Sequence, residues 1–194
     1  MSKHPKTDKL LHFTFVLGII AVFLYISIFL TELVSNNTNI QLLVQQFGHI
    51  GIFILSFIAG LNLFIPVPAS TFTPVFTAGG ISLPIVIAIL VAGTMCANFV
   101  AYGLGRIGHR FTESHYPKLE EKINRLYLEK RRWLPYFVFS FAAFVPFPDE
   151  IYIIPLGLMG VRIKEFITPL ILGTITFQTL TALGFQNVFQ LIMN

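Results

Sequence analysis

Two Pro-x-Pro breaks inside long apolar runs, Pro66-Val67-Pro68 and Pro146-Phe147-Pro148, limit most tightly what this chain can fold into. Proline removes a backbone donor and disfavours helix in the residue before it, so each pair ends a helix partway along its run. Each reads as the tip of a hairpin. The second tip, Phe144 to Glu150, ends in two carboxylates, Asp149 and Glu150, whereas the stretch from Gly60 to Ser70 carries no acid.

Composition places these tips in a membrane. Of 194 residues, 55% are hydrophobic and 11% charged, against about 25% charged in a soluble domain. The mean hydropathy is +0.76. The net charge of +4 comes from clustered Lys and Arg, which fits membrane topology and anionic-lipid attraction and gives no reason to expect a nucleic-acid partner. A single cysteine, Cys96, excludes an internal disulfide and reads as a small packing residue. The five histidines have no ligand spacing, so neither a metal site nor a cofactor is expected. There is also no Ser-His or Gly-x-Gly-Asp arrangement of the kind a hydrolase would need, and the chain is not expected to be an enzyme.

Taken in order, a basic tail (Lys3, Lys6, Lys9) precedes an apolar run from about Phe13 to Val34. The run is long enough to span a bilayer and lacks a small-residue cleavage site, so it reads as a retained helix with a cytoplasmic N-terminus. Ser35 to Phe47 is uncharged and reads as a short interfacial helix on the outer side. The run from Ile50 to Ile81 is broken by the first tip. Its leading arm of about 15 residues, roughly 23 Å, is too short to cross a core of about 30 Å, which predicts a re-entrant hairpin. A plain span follows from Pro84 to Gly105, then a basic stretch holding Arg106, Arg110, Lys118, Lys122, Arg125, Lys130, Arg131 and Arg132. The positive-inside rule makes that stretch cytoplasmic, and Pro117 to Trp133 reads as an amphipathic surface helix. Leu134 to Val161 holds the second tip, and Phe166 to Phe185 forms a last span.

Sliding the chain by about 80 positions sets Phe64 on Phe144, Pro66 on Pro146, Pro68 on Pro148, Phe72 on Tyr152, Gly80 on Gly160 and Gly93-Thr94 on Gly173-Thr174. With the charge pattern, this predicts an inverted repeat of two re-entrant helical hairpins, each followed by a transmembrane helix. The expected fold is therefore an all-α integral membrane protein with an N-terminal transmembrane helix and a cytoplasmic amphipathic helix added to that repeat. The expected division is 1–47 for the tail, first helix and interfacial segment, and 48–185 for the membrane domain. Within the domain, 48–105 is the first repeat, 106–132 the basic loop and 133–185 the second repeat. A C-terminal tail occupies 186–194.

The succession of a proline-broken segment, a span ending Tyr102-Gly103-Leu104-Gly105-Arg106-Ile107-Gly108, a basic loop, and a second proline-centred segment leading to Leu156-Gly157-Leu158-Met159-Gly160 resembles the DedA family, also called SNARE-associated or VTT-domain proteins. The resemblance covers roughly Ile50 to Gly184 and implies a multi-pass protein with two opposed re-entrant hairpins. Bacterial members are associated with moving polyprenyl phosphate across the membrane, coupled to the proton gradient, and eukaryotic relatives scramble phospholipids. The chain departs from the family pattern at its tips. It has no acids around the first hairpin, and Ala143 and Asp149 stand where relatives carry arginines three residues to either side of the second proline.

Candidate site residues follow. Asp149 and Glu150, if they lie inside the membrane, are a proton- or cation-coupling pair; on the alternative reading they face water and meet Arg106 or Arg110. Arg106 and Arg110 are candidates for holding a lipid phosphate, with a snorkelling anchor as the alternative for Arg106. Asn62, Ser70, Thr71 and Thr73 surround the first tip, and Tyr152 lines a cavity or packs. The expected function is transport of a lipid, such as a polyprenyl phosphate or phospholipid, by a flippase or scramblase in the cell membrane. The expected partners are anionic or phosphate-bearing lipids together with protons or cations. The alternative is a proton- or cation-coupled small-solute transporter, and assembly as a homo-oligomer is left open.

Overall fold

The computed structural model describes residues 18, 22, 25–61, 68–115, 131–145 and 148–193, and among these it is all helical. Helix α1 is Tyr25–Ser35 and α2 is Thr38–Gly60. A 3-10 turn, Ala69–Phe72, leads into α3, Thr73–Ala78, and α4 is Leu83–His115. A second 3-10 turn, Arg131–Trp133, opens α5, Leu134–Phe144, and α6 is Glu150–Leu158. After a third 3-10 turn, Ile163–Glu165, α7 runs Ile167–Met193.

Three stretches are long and apolar enough to cross a membrane: Thr38–Gly60, Leu83–Arg110 and Ile167–Asn187. Their outer faces expose Ile54, Ile58, Phe99, Leu104, Leu172 and Leu180. A surface of that kind is costly in water and suits a bilayer. Trp133 and Tyr136, exposed beside Arg131 and Arg132 at the start of α5, have the character of an interfacial aromatic belt.

Two helix boundaries differ from the sequence reading. The interfacial segment and the arm of the first hairpin form one helix, α2. The Asn37 Oδ1 accepts from the backbone N–H of Asn39 at 3.0 Å and of Ile40 at 3.3 Å, and no proline interrupts the next 23 residues. At about 1.5 Å per residue, α2 exceeds the roughly 30 Å hydrocarbon core that the shorter arm was expected to fall short of. Helix α4 likewise runs past Gly105 to His115, so Arg106 and Arg110 stand on a helix and not in a loop. Glycine inside a helix costs about 1 kcal/mol relative to alanine, and a close crossing with α6 offsets that cost. A Cβ on Gly157 would sit 2.6 Å from the Tyr102 carbonyl oxygen and 2.9 Å from the Gly105 Cα.

Helix α2 packs along α4, and α5 along α7. The short elements cross over between these pairs: α6 lies against α4, while α3 and its 3-10 turn lie against α7. The two turns share a backbone pattern. The N–H groups of Gly79, Gly80 and Ile81 donate to the carbonyls of Val75, Thr77 and Phe76; eighty positions on, Met159, Gly160 and Val161 donate to Pro155, Gly157 and Leu156. Thr71 donates to Pro68 as Ile151 does to Pro148. Gly80 and Gly160 have φ of 91° and 71°, the left-handed region that favours glycine.

The basic tail, most of the first apolar run, and Asn62, Pro66 and Pro146 lie outside the described residues, as does 116–130, the greater part of the expected amphipathic helix.

Candidate functional site

Asp149 stands at the start of α6, where an acidic side chain ordinarily accepts from the first free backbone N–H groups. It makes no such cap bond. The Pro148 carbonyl takes the Ile151 N–H, and the backbone carbonyl of Asp149 takes those of Tyr152 and Ile153. The carboxylate is left to bond elsewhere. Asn98 Nδ2 of α4 donates to Oδ2 at 3.0 Å, and the Tyr152 hydroxyl donates to Oδ1 at 3.0 Å. The Tyr152 ring is itself fixed edge-on against Phe141, with centroids 4.8 Å apart.

Asp149 lies between α5 and α6, outside the three membrane-length helices. Burial pushes its carboxyl above the usual range; the bonds from Asn98 and Tyr152 oppose that push, and the neighbouring Glu150 adds to it. Burial first, and then the Asp149 charge, push the Tyr152 phenol upward, so it remains a donor. Glu150 is buried, at 4% exposure.

A cavity of about 80 Å³ opens beside Asp149, room for several waters at the roughly 10–15 Å³ each requires. Both proline turns line it, the first through Pro68 and Ala69 and the second through Pro148 and Asp149. Thr94 of α4, and Thr174 and Gln178 of α7, complete its polar wall. Gln178 Nε2 donates to Thr94 Oγ1 at 3.1 Å.

At the first turn, Ser70, Thr71 and Thr73 are all buried. The Ser27 hydroxyl donates to the Thr71 carbonyl at 2.7 Å, tying α1 to the turn. The Ser70 and Thr73 hydroxyl oxygens have no hydrogen-bond partner among the described residues. Arg106 and Arg110 are not brought to the carboxylates. Arg106 is two turns beyond Asn98 on α4, about 12 Å along the axis; it lies beside Gly160, and Arg110 is exposed. The alternative in which the acids form a surface turn paired with these arginines does not describe Asp149, whose side-chain partners are Asn98 and Tyr152.

Sequence reasoning missed Asn98 and Gln178. They occupy equivalent positions under the 80-residue shift, like Thr94 and Thr174. An amide inside an apolar span was the available signal, because such a group is costly to bury unless it is bonded.

The family model of the VTT domain matches residues 67–187, more than half of the chain. The chain belongs to the VTT-domain family. The matched part of this VTT-domain protein begins at the first proline turn and includes every cavity-lining residue except Ser56, Ala59 and Gly60 of α2. Comparison with curated proteins and with solved structures found no match.

Proposed function

We propose that this VTT-domain membrane protein is a lipid transporter of the flippase or scramblase type, moving a lipid such as a polyprenyl phosphate or phospholipid across the cell membrane. The observation that carries this reading is the polar cavity at which the two proline turns meet, bordered by the half-buried Asp149 inside an apolar helical bundle. Helices α5 and α6, with 11 and 9 residues, are about 17 and 14 Å long, each short of the hydrocarbon core. Those lengths support a re-entrant second hairpin. The hydrogen bonds repeated at an 80-residue spacing, and the crossed packing of the short helices, support an inverted repeat with its site where the halves meet.

In this reading Asp149 exchanges a proton with the cavity as access alternates between the two membrane faces. Glu150 and Tyr152 are the titratable neighbours that modulate it, and α4 and α7 contribute amides and hydroxyls. Arg106 and Arg110 attract anionic lipid at the cytoplasmic end, where the positive-inside rule also puts the N-terminus and the basic stretch. A proton- or cation-coupled small-solute transporter is the second reading, favoured by the small cavity volume; it requires solute uptake without lipid movement.

The test is headgroup movement in proteoliposomes across a pH series, comparing the natural protein with Asp149→Asn/Glu150→Gln. Protein-dependent movement that loses its pH dependence in the double variant is expected. Natural rates and an unchanged pH profile in the variant would remove the coupling role.

A further inference from the structure

We propose that the cavity between the proline turns binds a primary ammonium group, presented by a lipid headgroup or by a small free amine. Its described polar wall combines a carboxylate with amide and hydroxyl groups, several of whose donors are already engaged. The Asn98 amide NH2 is engaged by the Asp149 carboxylate, and the Gln178 amide NH2 by Thr94. Gln178 is 4% exposed and lines the cavity, yet its Oε1 has no hydrogen-bond partner among the described residues. A buried acceptor in that state carries a desolvation cost until a donor reaches it. Asp149, Ser56, Thr94 and Thr174 border the same space. Among the described residues, no Lys, Arg or His lines the cavity.

An alkylammonium carries a positive charge and three N–H donors and no acceptor, the complement of this wall. A phosphate offers only acceptors and would lie against a carboxylate, so the cavity is poorly made for it. A quaternary ammonium has the charge without the N–H groups and leaves Gln178 Oε1 unpaired; Phe177 alone among the lining residues offers an aromatic face. A cation seated here competes with the proton on Asp149, so binding releases a proton when the carboxyl starts protonated. For the lipid source this inference rests on the transport reading above, narrows its lipid from a polyprenyl phosphate to an amine-bearing phospholipid, and names which end of the headgroup enters the cavity.

The experiment has two arms. In the first, the purified full-length protein in detergent is titrated with ethanolamine, choline or inorganic phosphate, with binding read by calorimetry and thermal shift. Ethanolamine should bind about tenfold or more tightly than choline, the worth of a hydrogen bond to a charged group, and phosphate should not compete. Gln178→Leu should erase the preference, and Gln178→Glu, which restores an acceptor, should recover it. Equal binding of ethanolamine and choline, competition by phosphate, or a preference retained in Gln178→Leu overturns the proposal. If Gln178→Leu does not fold, the comparison of natural protein with Gln178→Glu decides: ethanolamine preference in both supports the site, and its absence in both overturns it. In the second arm, proteoliposomes carry an ethanolamine or a choline headgroup lipid. Faster movement of the ethanolamine lipid supports the proposal. Equal movement upholds transport and overturns the ammonium site. Ethanolamine binding without movement of either lipid defeats the transport reading and assigns the ammonium site to a free amine.

Discussion

Ala69 and Asp149 follow the second proline of the two turns, and both border the same cavity. Around them the backbone hydrogen bonds match position for position, from Pro68 and Pro148 to the glycines at 80 and 160. The long helices set matching amides beside the turns, Asn98 and Gln178. Only one turn has a carboxylate for its amide to hold. Asn98 therefore donates to Asp149, while Gln178 turns its NH2 to Thr94; both amide oxygens are without a partner among the described residues. The shared backbone is a scaffold requirement, set by proline and left-handed glycine. The carboxylate stands in one half of the cavity, and the other half supplies neutral side chains.

The difference between the turns can be attacked by substitution. The largest effect is expected at the acid. Asp149→Asn, which keeps the shape but exchanges one acceptor oxygen for an NH2 donor, should slow headgroup movement in proteoliposomes about a hundredfold, the lower range for removing a positioned proton-transfer group. Ala69→Ser at the matching position should stay within about twofold. Comparable losses at both positions would mean that the two turns contribute alike.

A second comparison concerns the glycines. Forcing an L-residue into the left-handed region costs roughly 1–2 kcal/mol. Gly80→Ala should cost about that much, because its Cβ would meet only the end of the Gln45 side chain, at 2.7 Å. Gly160→Ala should cost about 1 kcal/mol more. Its Cβ would press on the His109 ring at 2.8 Å, and His109 Nδ1 donates to the Leu158 carbonyl at 3.0 Å. Thermal unfolding in detergent measures the ranking, and equal losses would show that the ring yields freely.

Tyr152→Phe copies Phe72 of the first turn and removes one hydrogen bond, for an expected loss of about 1 kcal/mol. Because the Tyr152 bond lowers the Asp149 pKa, the variant should also move the pH midpoint of transport upward. An unchanged midpoint would show that the hydroxyl does not tune the acid.

The smallest effect is on stability against pH. The Asp149 pKa is raised in the folded protein, so between the ordinary carboxylate value and the folded one the native state holds more protons than the unfolded state. Its contribution is favourable at acid pH and is lost as pH rises through that window. The natural protein should lose melting temperature across the window more steeply than Asp149→Asn. Parallel curves would contradict the burial of the carboxyl.

Much of the scaffold was legible because proline and glycine act locally. The all-helical membrane character, the breaks that end α2 and α5 ahead of Pro68 and Pro148, and the glycines at 80 and 160 that close α3 and α6 follow from local residue types. The start of α2 could not, because Ser35 to Phe47 contains no residue that ends a helix and its polar character alone looked like a break. Arg106 and Arg110 looked like loop residues because cations cluster at membrane surfaces, yet Gly105 allows α4 to continue against α6. The setting of Asp149 was the least legible. Whether the acid faced water or an interior depended on Asn98, which lies on another helix and carries no mark of which face it occupies.

The meeting of the two turns at one cavity is tested most directly by cross-linking. With Cys96 replaced by alanine and a protease site inserted within 116–130, Ala69→Cys and Val145→Cys place thiols at two cavity-lining positions, one in each half. Treatment of the membrane-embedded protein with a short bis-maleimide should leave the two fragments joined after protease cleavage, and the single-cysteine controls should separate. Separation of the fragments in the double-cysteine protein, with both thiols shown to be reactive, would contradict the shared cavity and the functional reading built on it.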